Sequence, residues 1–496
     1  MLGSTNKTMI SVYIESPDEI IRHRIRYVMT QMLVAMGFQH TFFSKRDEIN
    51  DGFSIACVPR NSDLSESLKK FDLIVPYGSY ASWTERCPDI RSEKIDGINV
   101  LYIDEFPKFL INERLLGFDL INIVFYLLSR QEEYTYEHRD PKGGFSPTYS
   151  TLYENGVLQI PLINYYIKHI ENHIVNSSRI TPEPKWKDNS HYAVVLSHDV
   201  DVLPFRDITV PLYQIINAFS LRGFIAKLSL MKNSLMDMLL SPSSITDWQL
   251  SYWLDKEKEY NLYSTFFVAG NTINRQRSDP SYWLSSKVIH NGQEWRLSDV
   301  VKSFEDMGWE IGLHGSYNSY QDENLLGKER DLLIKQTGCK IIGVRHHCLR
   351  FDVRKTWSVH ENLGFTYDTT LGYNEINGFR AGIAFPFTPY DIYNGCEYNL
   401  LELPMSIMDG SFFCDYGEKL DAQKAIIRCE KITNAVKETG GMLVVNFHPN
   451  FCATTHADSW KLYEYILKHA TESGAWVTNG KEIANWWIKR RNQLTK

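Results

Sequence analysis

At 496 residues the chain is too long for one ordinary hydrophobic core, so two domains are expected. Hydrophobic residues make up 43% and charged residues 23%, the balance of a globular protein. With 53 basic against 60 acidic residues the formal charge is -7, which gives no reason to expect a polyanionic partner such as nucleic acid.

Met1 to Ile10 has neither a long apolar core nor a small-residue cleavage site, so no secretory signal is expected there and the default compartment is the cytoplasm. No apolar run is long enough to span a bilayer. The eight cysteines are scattered without a CxxC pair and read as reduced thiols. Ile20 to Met36 predicts an amphipathic helix, with Ile21, Ile25, Val28, Met32 and Met36 at helical spacing. Phe71 to Pro76 and Ile98 to Ile103 read as strands, and Leu120 to Leu128 as a buried helix running into Ser129-Arg130-Gln131-Glu132-Glu133-Tyr134. Together they predict a small N-terminal α/β domain, residues 1–180. Thr181-Pro182-Glu183-Pro184-Lys185 is a linker candidate, because its prolines interrupt any periodicity.

A second domain, residues 190–496, has another rhythm. Strand-like runs recur at Ala193 to Leu196, Thr265 to Val268, Glu310 to Leu313, Ile341 to Val344, Leu400 to Leu403 and Met442 to Phe447, each followed by a helical segment. A repeated βα pattern predicts a parallel sheet. His198, Asp199 and Asp201 follow the first run, His314 the third, Arg345, His346 and His347 the fourth, and His448 the last. Titratable groups at the C-terminal ends of separate parallel strands describe the catalytic face of a (β/α) barrel. An open doubly wound sheet would usually carry a glycine-rich first loop, and none occurs.

Asp199 and Asp201 lie two apart at a strand end, so both carboxylates point to one face. A divalent cation would relieve their repulsion, one carboxylate ligating and the other accepting a proton from water. Alone, such a pair is more often a loop cap or a salt-bridge cluster. His314 is the natural imidazole partner for Asp201.

The ordered series Ser197-His198-Asp199-Val200-Asp201, Thr265-Phe266-Phe267-Val268, Gly308-Trp309-Glu310-Ile311-Gly312-Leu313-His314, Gly343-Val344-Arg345, Gly364 to Thr370 and Phe447-His448-Pro449 resembles the motifs of the polysaccharide deacetylase family (carbohydrate esterase family four and its relatives), over roughly Tyr192 to Trp487. The resemblance implies a distorted (β/α) barrel and a metal-dependent hydrolase, most simply with zinc, that removes the N-acetyl group of a sugar or glycan intermediate in bacterial polysaccharide metabolism. It implies Asp199 as general base, Asp201 and His314 as metal ligands, Arg345 as the partner holding the base ionised, and His448 as general acid. Two departures stand out. Val200 separates the aspartates, as in lipid-linked sugar deformylases of the same superfamily. Asn318 stands where a second metal histidine is expected, and His347 is the preferred substitute, with Asn318 the alternative ligand. The competing reading is a catalytically degenerate barrel that binds glycan or acts as a scaffold.

Asp368 and Arg380 are expected near the mouth, Arg380 either binding a substrate carboxylate or phosphate or pairing with an aspartate to order a loop. His360 and His456 read as surface residues. The long connection from Val202 to about Asn261, with Arg222, Lys227 and Lys232, reads as helices packed on the barrel, a lid, or a surface touching membrane or partner. The Phe125 to Tyr134 stretch, followed by Arg139-Asp140, resembles an accessory domain that precedes such barrels in bacterial surface-polysaccharide proteins, its charges fixing it against the barrel in preference to binding substrate. The expected partner is an acetylated carbohydrate; the oligomeric state is left open.

Overall fold

A computed structural model of the chain describes residues 9–45, 48, 52–63, 70–78, 90–95, 97–103, 108–136, 139–140, 142–178, 180–201, 249–270, 279–280, 282–290, 292–449 and 457–495. Most of the Val202 to Asn261 connection, with Arg222, Lys227 and Lys232, and also His456, lie outside these residues.

The first region contains β1 (Ile10–Ile14), α1 (Glu19–Met36), β2 (His40–Phe43), β3 (Ser54–Pro59), β4 (Leu73–Tyr77), the hairpin β5 (Arg91–Ile95) and β6 (Ile98–Tyr102), β7 (Leu110–Asn112), β8 (Leu115–Leu116), α2 (Leu120–Leu128) and α3 (Leu162–Ser177). Helix α1 starts where the Asp18 carboxylate accepts from the Ile20 and Ile21 amides, and stops at Gly37, whose left-handed φ of 99° lets its N–H reach Leu33 O. One face carrying Ile25, Val28, Met32 and Met36 is buried, as the spacing predicts. The sheet runs β2-β1-β3-β4-β8-β7, parallel except for the β7–β8 pair.

The second region is built on β9 (Ala193–Val200), α4 (Gln249–Glu259), β10 (Thr265–Ala269), the hairpin β11 (Lys287–His290) and β12 (Gln293–Arg296), α5 (Leu297–Asp306), β13 (Glu310–Gly315), α6 (Glu323–Thr337), β14 (Gly343–His346), α7 (Thr356–Asn362), β15 (Tyr367–Asp368), the hairpin β16 (Tyr390–Asp391) and β17 (Cys396–Glu397), β18 (Leu401–Glu402), β19 (Ile407–Met408), α8 (Asp409–Phe413), α9 (Ala422–Thr439), β20 (Met442–Phe447), α10 (Ala457–Glu472), β21 (Trp476–Thr478) and α11 (Gly480–Leu494). Its main sheet runs β18-β15-β14-β13-β10-β9-β20-β19, with β21 beside the first half of β9, and every pairing is parallel. All eight residues of β9 are buried, as expected of a strand covered on both faces.

The two edges of this sheet, β18 and β19, are joined by only Leu403 to Ser406. That span reaches about 17 Å at most, so the sheet must curl until its edges nearly meet. The result is the distorted barrel expected from the motifs, left unclosed because β18 and β19 share no ladder. Two expected strands are shorter than their apolar runs: β14 starts at Gly343 and β18 is two residues long.

The two regions share one continuous apolar core. Buried polar contacts cross between them: Tyr27 Oη donates to Thr388 O at 2.8 Å, the Ala384 amide to Asn164 Oδ1 at 2.8 Å, and Arg490 Nε to Val34 O at 3.0 Å. Among the described residues no helix is long and apolar enough to cross a membrane.

Candidate metal centre

Parallel strands deliver their C-terminal ends to one rim, and register sets the level at which each side chain emerges. Asp199 on β9 pairs with Phe267 on β10, His314 on β13 with Ala269, and Arg345 on β14 with His314. Adjacent strands thus place Asp199, His314 and Arg345 around one spot. Asp201, one residue beyond β9, joins them on the same face, two residues on from Asp199.

Three donor atoms converge there. Asp201 Oδ1 lies 3.1 Å from His314 Nε2 and 3.0 Å from His347 Nδ1, and the two ring nitrogens are 3.1 Å apart. These residues form the one compatible group of three His, Cys, Asp or Glu ligand atoms among the described residues. His314 spends its Nδ1–H on the Arg345 carbonyl at 3.1 Å, leaving Nε2 as a bare lone pair aimed at the cluster. Asp201 Oδ1 is buried and accepts no hydrogen bond among the described residues. Three lone-pair atoms packed in a triangle repel one another unless a cation sits between them, and one proton can serve only one pair. Donors about 2.0–2.2 Å from an ion stand roughly 3 Å apart in an octahedral shell and about 3.4 Å apart in a tetrahedral one, so this triangle has the size of one octahedral face and is a few tenths of an ångström tight for a tetrahedral one. Two imidazoles and a carboxylate are also the donor set such an ion takes. The residues fit a divalent cation.

The other expected residues flank this triangle. Asp199 Oδ1 accepts from Arg345 Nη1 at 3.0 Å and Oδ2 from Asn446 Nδ2 at 2.7 Å. Burial alone would push the Asp199 carboxyl up, but the Arg345 guanidinium, with His314 and His448 nearby, holds it below the usual carboxylate range. Arg345 is fully buried and fixed by Thr369 O at 3.1 Å and Thr369 Oγ1 at 3.2 Å, its guanidinium over the Phe267 ring. On the opposite side His448 Nδ1 meets Asp409 Oδ1 at 2.6 Å, and His448 Nε2 lies 3.6 Å from Asp201 Oδ2. Asp409 also accepts the His448 amide at 2.8 Å and the Ser459 hydroxyl at 3.1 Å. Burial would lower the His448 pKa, yet Asp409 first and then Asp201 and Asp199 raise it to about 9. Asn318 is exposed on the turn after β13.

Sequence reasoning passes over Asp409 and Asn446. Asp409 follows a two-residue strand too short to show a period, whereas Asn446 sits two residues before His448 on β20, on the same face, and alternation alone could have found it. Several expectations need correcting. His198 does not join the rim: strand alternation turns it to the helix side, where Nε2 meets Glu257 Oε1 at 2.8 Å and Nδ1 meets Phe447 O at 3.1 Å. His360 is not a surface residue; it is fully buried, its Nε2 2.8 Å from His346 Nε2 and its Nδ1 3.5 Å from Asp368 Oδ2. Asp368 is correspondingly buried, accepting from the Thr370 amide at 2.9 Å and hydroxyl at 2.5 Å. Arg380 neither faces ligand nor pairs with an aspartate. Its Nε and Nη2 donate to Glu133 of the first region at 2.9 and 2.7 Å, while Arg130 pairs with the same Glu133 and with Glu132. The charges of Arg130 to Glu133 therefore tie the two regions together, as the ion-pair reading expects.

Residues 12–178 match a family described as a family of unknown function, DUF7033. No curated protein matches. Among solved structures, the chain is similar to a putative polysaccharide deacetylase from Mycobacterium smegmatis, at 21% identity and a TM-score of 0.42, covering 63% of this chain and 94% of that one. A Puue allantoinase is similar at 16% identity and a TM-score of 0.42, over 62% of this chain and 94% of that one. A putative polysaccharide deacetylase involved in O-antigen biosynthesis from Bordetella bronchiseptica is similar at 13% identity and a TM-score of 0.27, over 63% and 93% respectively.

Proposed function

We propose that the chain is a metal-dependent hydrolase that removes the N-acetyl group from an acetylated sugar or glycan intermediate. The observation that carries this reading is the triangle of Asp201, His314 and His347, set between a carboxylate held by Arg345 and an imidazole held by Asp409. A divalent cation bound there, zinc by donor set, would polarise the amide carbonyl and offset the charge that develops on its oxygen. The sugar as substrate rests on the ordered motif resemblance of the second region.

The chain's own groups divide the proton work. Asp199, kept ionised by Arg345 and anchored by Asn446, accepts a proton from the attacking water. His448 donates its Nδ1–H to Asp409, so Nε2 is the atom directed at the rim, and a protonated Nε2 is placed to hand a proton to the departing amine. The Arg345 guanidinium keeps Asp199 ionised and Asp409 favours protonated His448, the forms that these two roles require. The degenerate-scaffold reading draws on Asn318; His347 Nδ1, 3.0 Å from Asp201 Oδ1, supports the hydrolase reading as a third donor.

The test is acetate release from a panel of N-acetylated sugars, nucleotide-linked, lipid-linked and polymeric, with the parent and Asp199→Asn compared side by side. Release by the parent that drops at least a hundredfold in the variant supports the reading. Release indifferent to the substitution, or none from any member with metal supplied, contradicts it.

A further inference from the structure

The first region does more than brace the barrel: one of its loops is anchored to residues that follow the candidate metal ligands. Asp140 organises that loop by accepting the Lys142 amide at 2.8 Å and the Gly144 amide at 2.7 Å on one carboxylate oxygen. On one side the Lys142 carbonyl accepts from Tyr317 Oη at 2.8 Å and from Arg350 Nη1 at 2.7 Å. Tyr317 lies three residues after His314 and Arg350 three residues after His347, so this anchor sits beside two of the three candidate ligands. Gly143, at φ 81°, makes the close approach possible, since a Cβ there would lie 1.8 Å from Arg350 Nη1.

On the other side the Lys142 side chain reaches to the turn after α8. Its Nζ lies 3.6 Å from the ring centre of Tyr416, an aromatic residue that remains 36% exposed. A Cβ on Gly410 would lie 2.4 Å from Tyr416 Oη, so that glycine lets the phenol sit against the residue next to Asp409, the partner of His448. The loop is therefore tied on one side to Tyr317 and Arg350, close in sequence to His314 and His347, and on the other to Tyr416, which packs against the neighbour of Asp409.

Lys142 is half-buried, and among the described residues no carboxylate lies within ion-pair distance of its Nζ. Glu375, Asp140 and Asp409 are near enough to feel its charge or to share its neighbours, but none closes a contact with it. Held over the Tyr416 ring with no carboxylate closing on it, the ammonium keeps its charge free to meet an anionic group that enters beside it. We propose that Lys142 is a specificity-determining residue that binds an acidic substituent, phosphate or carboxylate, on the acetamido substrate. The inference rests on the hydrolase reading for the position of the acetamido group. It adds that part of the substrate site belongs to the region preceding the barrel.

The test compares kcat/KM for N-acetylglucosamine, N-acetylglucosamine phosphate and an N-acetylated hexosaminuronic acid in the full-length, metal-loaded parent, Lys142→Met and Lys142→Arg. The parent should favour one or both charged substrates over the neutral one by roughly 10- to 100-fold, the worth of a hydrogen bond to a charged group. In Lys142→Met that ratio should fall toward one, mainly through KM, and Lys142→Arg should retain most of it. Which acid is preferred separates phosphate from carboxylate. A parent without charge preference, or a Lys142→Met variant that keeps it, overturns the proposal. Should no substrate release acetate, the hydrolase reading fails by itself, and calorimetric binding of the same phosphate-bearing sugar decides for Lys142: binding lost in Lys142→Met and kept in Lys142→Arg supports it, and equal binding by all three overturns it.

Discussion

Asp199 and Asp201 are chemically identical and two residues apart, and their neighbours give them different tasks. Asp199 has a guanidinium and an amide as hydrogen-bond donors, whereas Asp201 Oδ1 accepts no hydrogen bond among the described residues and faces two ring nitrogens. Replacing Asp199 with Asn keeps its size and removes its basicity, so kcat should fall by about 10²- to 10⁴-fold while bound metal stays near the parent level. His448 works as an acid only when protonated. With its pKa at about 9, activity should hold through neutral pH and decline as pH rises through that value. Asp409 is the first charge raising that pKa, so Asp409→Asn should move the alkaline limb of the pH–rate profile to lower pH as well as lowering kcat. A limb that stays in place would remove Asp409 from this role.

At the scale of elements, strand ends were the legible part. The apolar runs of β9, β13 and β20 show in the sequence, and Asp199, Asp201, His314 and His448 beyond them lie around the rim, although β9 and β13 continue past their runs to Val200 and Gly315. Two-residue strands such as β15, β18 and β19 carry no period, so Asp409 and the buried partners of Asp368 were invisible. Histidine burial was equally hard to read: His360 lies on α7, whose inner face is set by contact with His346 on β14, a pairing no local pattern encodes. Long-range ion pairs escape for the same reason, since Glu133 and Arg380 are 247 residues apart. Both are buried, so Glu133→Ala leaves a guanidinium without its bidentate partner and should cost about 3–5 kcal/mol in denaturant unfolding. Exchanging both residues for apolar ones of similar size should cost distinctly less; equal losses would mean that packing, and not the stranded charge, dominates.

For the whole molecule, we propose that residues 1–180 and 190–496 are its two parts, each arranged around one of the two larger sheets. The core that runs unbroken through both, with the Glu133–Arg380, Arg490–Val34 and Asn164–Ala384 contacts, argues that they behave as one thermodynamic unit. A single unfolding transition, coincident by fluorescence and circular dichroism, is the expected result; two separated transitions would show that the shared core does not couple them. The same arrangement lets a loop of the first region anchor to residues of the second that follow the candidate metal ligands.

Everything functional in this account depends on Asp201, His314 and His347 holding a cation together. Elemental analysis of the full-length protein after dialysis against zinc should find about one ion per chain, falling close to zero in His314→Ala and in His347→Ala while both variants keep the parent far-ultraviolet circular dichroism. A folded parent that retains no ion, or a His347→Ala variant that still retains one, would contradict it.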